Sequence, residues 1–197
     1  MTDTQPASCR HIWEAHIDTQ ISMGMGRLMG EMHCQIEDVP KLCEAEELVF
    51  IFDHLLANLP AHRVGLWLKE PDSETLQLAC NRSSKGWVSY DAPIQLAVTE
   101  GIVGSVFREH KAKADVGLYR SKEASPQIDQ KIHQHTGYQV SVPFMVGEEC
   151  LGVLSAVQLL NESLANPRSW GFPAECITLM TGFSGIIALL WAQRRQA

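Results

Sequence analysis

The chain predicts an α+β fold, with a central antiparallel sheet and helices laid on both of its faces. Three observations carry that prediction. The first is the stretch Tyr138–Asn161, whose first half alternates: Tyr138, Val140, Val142 and Phe144 share one parity and Gln139, Ser141 and Pro143 the other, which is the period of a half-buried strand. Gly147-Glu148-Glu149 then interrupts the apolar run and lets the chain double back, so the stretch reads as an antiparallel hairpin. The second is that the return strand is apolar on both sides, with Leu151, Val153, Val157 and Leu159 on one and Leu154 and Ala156 on the other. A strand buried on two sides needs cover on two sides. The third is that apolar helical patterns stand at both ends of the chain and can supply that cover.

Taken in order, the first element is a helix over about Cys9 to Cys34, where Ile12, Trp13, Ile17, Ile21, Met25, Leu28, Met29 and Met32 recur at three and four. Gly24, Gly26 and Gly30 each cost it about 1 kcal/mol relative to Ala, so its second half kinks or frays unless it packs against something. Its methionines offer either an adaptable binding surface or the packing stripe of a dimer seam, and the preference for burying such a stripe favours the seam. Pro40 opens a second helix, with Glu44, Glu46 and Glu47 early and Leu48, Val49, Ile51, Phe52, Leu55 and Leu56 as its buried side, ending near Asn58 to Pro60. Two strands follow, about His62 to Leu68 and Thr75 to Cys80, joined by the turn cluster Glu70-Pro71-Asp72-Ser73.

A loop with Trp87 and Tyr90 precedes a short apolar stretch, Pro93 to Val98. Next comes a short helix over Glu100 to His110, its start set by Thr99 and its glycines allowing close approach of a neighbour or ligand. The peptide N–H groups at that start are unpaired within the helix and suit an anion. Lys113 to Val116 is extended, residues 117 to 127 form a polar loop, and Ser125-Pro126 starts a short helix carrying Ile128, Ile132 and His135 that Gly137 ends. After the hairpin, Pro173 and Glu175 suit the first turn of the last helix. Ile177, Met180, Phe183, Ile187, Leu190 and Trp191 give that helix one broad apolar face, and Gly182, Gly185 and Ala188 form a strip where another helix can approach.

Composition bounds what such a chain does. With 197 residues, 45% of them hydrophobic, it suits one domain over residues 39–197 with a helical appendage over residues 1–38 for dimerisation or signalling. Sixteen Lys and Arg against 23 Asp and Glu give a net charge of -7, a surface that phosphate backbones repel, so no nucleic-acid partner is expected. Met1 to Arg10 lacks the apolar core of a secretion signal, which predicts a cytoplasmic protein. The uncharged run Cys176 to Ala192 is shorter than the roughly 20 residues of a membrane span, so no membrane partner is expected. The six cysteines, Cys9, Cys34, Cys43, Cys80, Cys150 and Cys176, show no close repeated spacing and read as reduced structural thiols.

Four features together resemble GAF domains: Gly101-Ile102-Val103-Gly104 opening a short helix, Asp115 shortly after it, Gly137-Tyr138 with Pro143-Phe144 in a strand, and Leu151-Gly152-Val153-Leu154 in the return strand. The resemblance covers about residues 45 to 192. It implies a GAF-like, profilin-like antiparallel sheet of five or six strands, with the long first and last helices on one face and short helices over a ligand pocket on the other. The chain departs from the cyclic-nucleotide-binding members: the segment between Gly137 and Pro143 is shorter, Asn161 is followed by Glu162 rather than Lys, and Phe172 by the single acid Glu175. The residues therefore name no particular ligand or cofactor.

Laid on that pattern, the pocket-lining candidates are Trp67 and Cys80 from the early strands, Val103 and Ser105 at the short helix, Asp115 and Tyr119 beyond it, and Tyr138 and Ser141 on the central strand. Each also has a plain structural reading: Trp67 and Tyr138 as core, Ser105 as helix surface, Asp115 as a turn or cap acid. His133 and His135 point apart on a helix and Cys9-Arg10-His11 has no matching pair, so no metal is expected. No Cys-His pair lies in the helix before the hairpin to hold a linear tetrapyrrole. Some GAF domains reduce free methionine sulfoxide with pocket cysteines, which requires an exposed low-pKa thiol with a second within reach; here Cys80 and Cys150 lie far apart in sequence.

The expected function is thus non-enzymatic: a sensory domain that binds a small molecule and signals its occupancy to a downstream protein through a homodimeric helical bundle, by closure of the loop between Asp115 and Ile128. The alternatives are a structural dimerisation module whose pocket is filled by its own side chains, and a thiol-based redox protein.

Overall fold

The computed structural model describes residues 46–116, 129, 134–160, 162 and 171–194, leaving out the side chains of 115, 116 and 192–194. The expected first helix with its methionines, the domain boundary at residue 38, the opening at Pro40 and the body of the short helix from Ser125 lie outside the described residues.

Glu46–Asn58 forms α1, with two acids in its first turn and Leu48, Ile51, Phe52 and Leu55 buried at helical spacing. At its end the Asn58 side-chain amide donates to the His54 carbonyl at 2.8 Å. The strands β1 (Arg63–Lys69) and β2 (Thr75–Ser83) follow, joined by a turn in which the Glu70 carboxylate accepts from Thr75 at 2.6 Å and Gln95 at 2.8 Å. Two short strands come next, β3 (Gly86–Trp87) and β4 (Gln95–Ala97).

The helix α2 spans Gly101–Glu109. Its N-cap is Glu100 rather than the expected Thr99, with no side-chain capping bond, and His110 closes it in the left-handed conformation with its N–H on the Val106 carbonyl. After β5 (Lys113–Val116) come the two long strands β6 (Thr136–Val146) and β7 (Glu149–Leu159). Gly137 therefore lies inside a strand and does not end a helix. The last element is α3, Ala174–Arg194.

All pairings are antiparallel and the sheet runs β3-β2-β1-β7-β6-β5, with β4 also paired to β2. The main path has six strands, against the five or six expected, and the seventh is a three-residue addition. Val146 pairs with Glu149 across Gly147-Glu148, and Gly147 takes a φ of +63°, the left-handed backbone a tight hairpin turn requires. Because β7 lies between β1 and β6, and β6 between β7 and β5, the hairpin sits inside the sheet.

Helices cover both of its faces. On the back, α1 and α3 enclose a core that includes Phe52, Leu55, Val64, Leu66, Val140, Val142, Phe144, Leu154, Met180 and Ile187. On the front, a second core gathers Trp67, Leu76, Val153, Ile102, Val103 and Val106 beneath α2, with Ile94, Leu96 and Val98 from the β4 segment. Gly104 permits this closure, since a Cβ there would stand 2.6 Å from the Val98 carbonyl oxygen.

A β-bulge decides which side chains of β2 reach which core. Leu66 pairs with Cys80, yet the next residue, Trp67, pairs with Leu78, so β2 advances two residues for one on β1. Leu76 and Leu78 therefore join the front core, whereas Cys80 joins the back.

In α3, Cys176, Met180, Phe183, Ser184, Ile187 and Ala188 are buried at helical spacing, and the Ser184 hydroxyl donates to the Pro143 carbonyl at 2.8 Å. Gly182 and Gly185 face outward with nothing within 4 Å of a Cβ, while Ala188 turns inward, so the expected small-residue strip is reduced to its two glycines. Leu189 is 56% exposed, as is half of Phe50 on α1. By length and composition alone, Ala174–Trp191, with a mean hydropathy of 1.6, is sufficient to cross a membrane, as the core helix of a soluble protein also can be.

Candidate functional site

The ladder registers align a row of small or polar residues across the front of the sheet. Asn81 on β2 pairs with Gly65 on β1, Gly65 with Ser155 on β7, Ser155 with Ser141 on β6, and Ser141 with Lys113 on β5. On one side of this row stand Trp67, Val153 and Pro143; on the other, Arg63, Val157 and Gln139. Alternation puts all of these on the front, because Val64, Leu66, Val140, Val142, Leu154 and Ala156 point into the back core. Asn81, Gln139, Ser141 and Ser155 are each more than nine-tenths buried, and buried polar groups must find partners.

Their partners are largely one another. The Trp67 indole N–H donates to Ser155 Oγ at 3.1 Å, and Ser155 in turn donates to the Gly65 carbonyl at 3.3 Å. The Gln139 amide donates to Ser141 Oγ at 2.9 Å. Tyr90, from the loop before β4, lays its hydroxyl oxygen between two amide donors, Asn81 at 2.6 Å and Gln134 at 3.3 Å. That bridge joins β2 to the entry of β6 over the intervening β1 and β7.

Charged groups rim the row. The Lys113 ammonium donates to Ser105 Oγ and to Glu109 Oε1, and Ser105 donates to the same carboxylate at 2.7 Å. The Ser105 hydrogen bond, then that from Lys113, holds the Glu109 carboxyl below its ordinary value. At the opposite corner an Arg63 Nη donates to Glu162 at 3.0 Å, while Arg63 Nε is buried with no hydrogen-bond partner.

Of the residues singled out in the sequence, the structure brings Trp67 and Val103 together in the front core, with Ser141 in the polar row and Ser105 at its rim. Cys80 is not with them, because the bulge turns it to the back. Nor is Tyr138, which shares the parity of Val140 and packs against the back core. The backbone of Asp115 pairs with Gln139; its side chain, Tyr119 and the loop expected to close over the site lie outside the described residues. Sequence reasoning missed Arg63, Asn81, Tyr90, Gln134 and Gln139. Gln139 shares its parity with Ser141, a signal that was available; Asn81 lies just beyond the predicted end of its strand, and Tyr90 and Gln134 reach the site from irregular backbone.

The described cysteines, Cys80, Cys150 and Cys176, are buried and form no disulfide. Burial pushes the Cys150 thiol up, and burial followed by the charge of Glu175 raises Cys176 to about 11. Among the described residues no group of three or more His, Cys, Asp or Glu is placed to hold a metal ion.

Solved structures share this architecture. A methyl-accepting chemotaxis protein, residues 122 to 287, superposes with a TM-score of 0.63 at 14% identity, covering 88% of this chain and 97% of that one. The GAF domain of a phosphoenolpyruvate-protein phosphotransferase from Coxiella burnetii gives 0.61 at 16%, covering 88% and 94%. The free methionine-R-sulfoxide reductase from Neisseria meningitidis, solved in complex with its substrate, gives 0.56 at 17%, covering 80% and 86%. No protein-family model matches the sequence, and no curated protein does. With its six-stranded main sheet, back helices α1 and α3 and front helix α2, the chain has the GAF fold.

Proposed function

We propose that this chain is a sensory domain that binds a small molecule on the front of its sheet without transforming it, and signals occupancy through the helices on the back. The observation that carries the reading is the buried polar row, Asn81, Ser155 and Ser141 with Gln139 and Tyr90, laid beside an apolar front core. A mostly apolar site with a few fixed polar groups is what small-molecule recognition uses. Trp67, Val103, Ser105 and Ser141 are its proposed contacts from the strands and α2.

A path from front to back supports the signalling half. Asn81 bonds to Tyr90 on the front, while its neighbour Arg82 makes a two-point ion pair with Asp53 of α1 at 2.6 and 2.8 Å on the back. The Arg82 guanidinium also lies 4.9 Å over the Trp87 ring, which meets Phe52 of α1. In the proposed mechanism a displacement of Tyr90 passes to α1 through these two consecutive residues of one strand. The proposed output is a homodimer seam on the back helices, where Phe50 and Leu189 stand exposed, read by a downstream signalling protein. The chemotaxis and phosphotransferase relatives in the comparison point the same way.

The reductase in that comparison raises thiol chemistry. The described thiols oppose it, since buried thiols of raised pKa are poor nucleophiles. A structural dimerisation module is favoured by one observation: Trp67, Leu76, Val103, Val106 and Val153 of the front core are all buried among their own neighbours.

Two measurements separate these readings. Denaturing the purified chain and analysing the released small molecules by mass spectrometry should yield a stoichiometric compound, and light scattering at micromolar concentration should give a dimer that Leu189→Glu splits. A dimer that releases nothing supports the structural module; a monomer sinks the proposed output.

A further inference from the structure

Three donors on the front of the sheet lack acceptors among the described residues. Arg63 Nε is buried with no partner. The Tyr90 hydroxyl oxygen already accepts from Asn81 and Gln134, so its own proton remains to be given. Ser141, wholly buried, accepts from Gln139, and its proton likewise remains. A hydroxyl has one donor and two acceptor positions, so amide groups aimed at these two oxygens orient both hydroxyls as donors.

The registers set Arg63 and Asn81, which holds Tyr90, on adjacent strands, while Ser141 lies two strands from Arg63, across β7. Arg63 and Gln139 stand on one row, Asn81 and Ser141 on the next, about 7 Å along the strands at two residues' rise. Tyr90 spans from Asn81 toward Gln134 above them. The surrounding acids are already engaged: Glu162 with Arg63, Glu109 with Ser105 and Lys113, and Asp129 with the backbone N–H and hydroxyl of Thr136. None of them accepts from Tyr90, Ser141 or Arg63 Nε. The charge of Arg63 is met by Glu162, but its buried Nε is left without an acceptor, which is costly.

We infer that the ligand of this site carries a carboxylate, which accepts from Arg63 Nε and from the Tyr90 hydroxyl. The inference rests on the binding function proposed above and adds the ligand's chemical class. Charge-assisted hydrogen bonds are shorter and about twice as strong as neutral ones, so a carboxylate uses this donor set better than a neutral carbonyl. Trp67 and the apolar front core lie one row further along the sheet and suit an uncharged remainder of the molecule.

The test compares acids with their amides on the full chain. Acetate, propionate, succinate and benzoate are each paired with the corresponding primary amide at constant ionic strength, and binding is read by thermal shift and calorimetry. At least one acid should raise the unfolding temperature by several degrees at saturation while its amide does not. Arg63→Met should weaken that acid about 10- to 100-fold and Tyr90→Phe about 2- to 10-fold, the range expected for losing charged and neutral hydrogen bonds. Arg63→Lys, which keeps the charge but removes the Nε donor, should fall between wild type and Arg63→Met. Equal binding of acid and amide, or acid binding indifferent to both Arg63 variants, overturns the inference. Silence from all eight compounds also overturns it, and the binding function falls with it only if the denatured chain releases no small molecule.

Discussion

Replacing Gly152 by Ala probes the crossing between β7 and β1, on which the position of the central hairpin depends. Gly152 pairs with Leu68 on one side and Phe144 on the other, so its strand has no free direction in which to move. An added Cβ would lie 1.9 Å from the Trp67 carbonyl oxygen, 3.0 Å from its carbonyl carbon and 3.1 Å from Leu68 Cα. Ordinary contact begins at 3.4 Å, so the strands must part by 3.4 − 1.9 = 1.5 Å. At that separation the local ladder bonds, normally about 2.9 Å long, are lost. Two such bonds at about 1 kcal/mol each, with about 1–3 kcal/mol for overpacking the fully buried neighbours Phe144 and Leu154, give a loss of about 3–5 kcal/mol. That is a large fraction of the roughly 5–15 kcal/mol a domain has. Urea unfolding of dilute protein followed by tryptophan fluorescence measures it, with Gly185→Ala as the control because its Cβ meets nothing within 4 Å. The control, on an exposed helix face, should hold or gain up to about 1 kcal/mol. A loss below about 1 kcal/mol for Gly152→Ala, with an unchanged m-value, would refute the close crossing.

Two further outcomes follow from the same structure. Trp67→Phe removes the donor to Ser155 and shrinks a side chain of the front core. It should cost about 1–3 kcal/mol, with a coupling of at least about 0.5 kcal/mol to Ser155→Ala in a double-mutant cycle; strict additivity would contradict the indole–hydroxyl bond. Cys176, raised from 9.0 to about 11 in the folded chain, binds its proton more tightly folded than unfolded. Its contribution to stability is therefore complete below about pH 9 and is lost as pH rises toward 11. Urea midpoints across that range should fall less steeply in Cys176→Ala, and a parallel fall in both proteins would show that the thiol does not contribute.

Much of the architecture was legible because it rests on local periodicity. The parity of Tyr138 to Phe144, the interruption at Gly147 and the apolar return strand all repeat within a few residues, and α1 and α3 show their buried stripes at three and four. Trp67 and Ser141 are set on the front by alternation along their own strands. Cys80 is not, because one extra residue in β2 reverses every side chain beyond it, and no composition signal near Ala79 announces the shift.

From its sequence alone this protein had α1, α2 and α3, the strands β1, β2 and β5 and the hairpin at its middle, while β3 was read as loop and β4 only as a short apolar stretch; the first group depends on the spacing of residues along one short segment. Tertiary structure decided which face of the sheet each residue serves and that Asn81, Gly65, Ser155, Ser141 and Lys113 form one row. The row is made of single residues from five strands, and it exists only once the register of every ladder is fixed. Those registers are set by packing and by a bulge between segments distant in the chain, and no single segment encodes them.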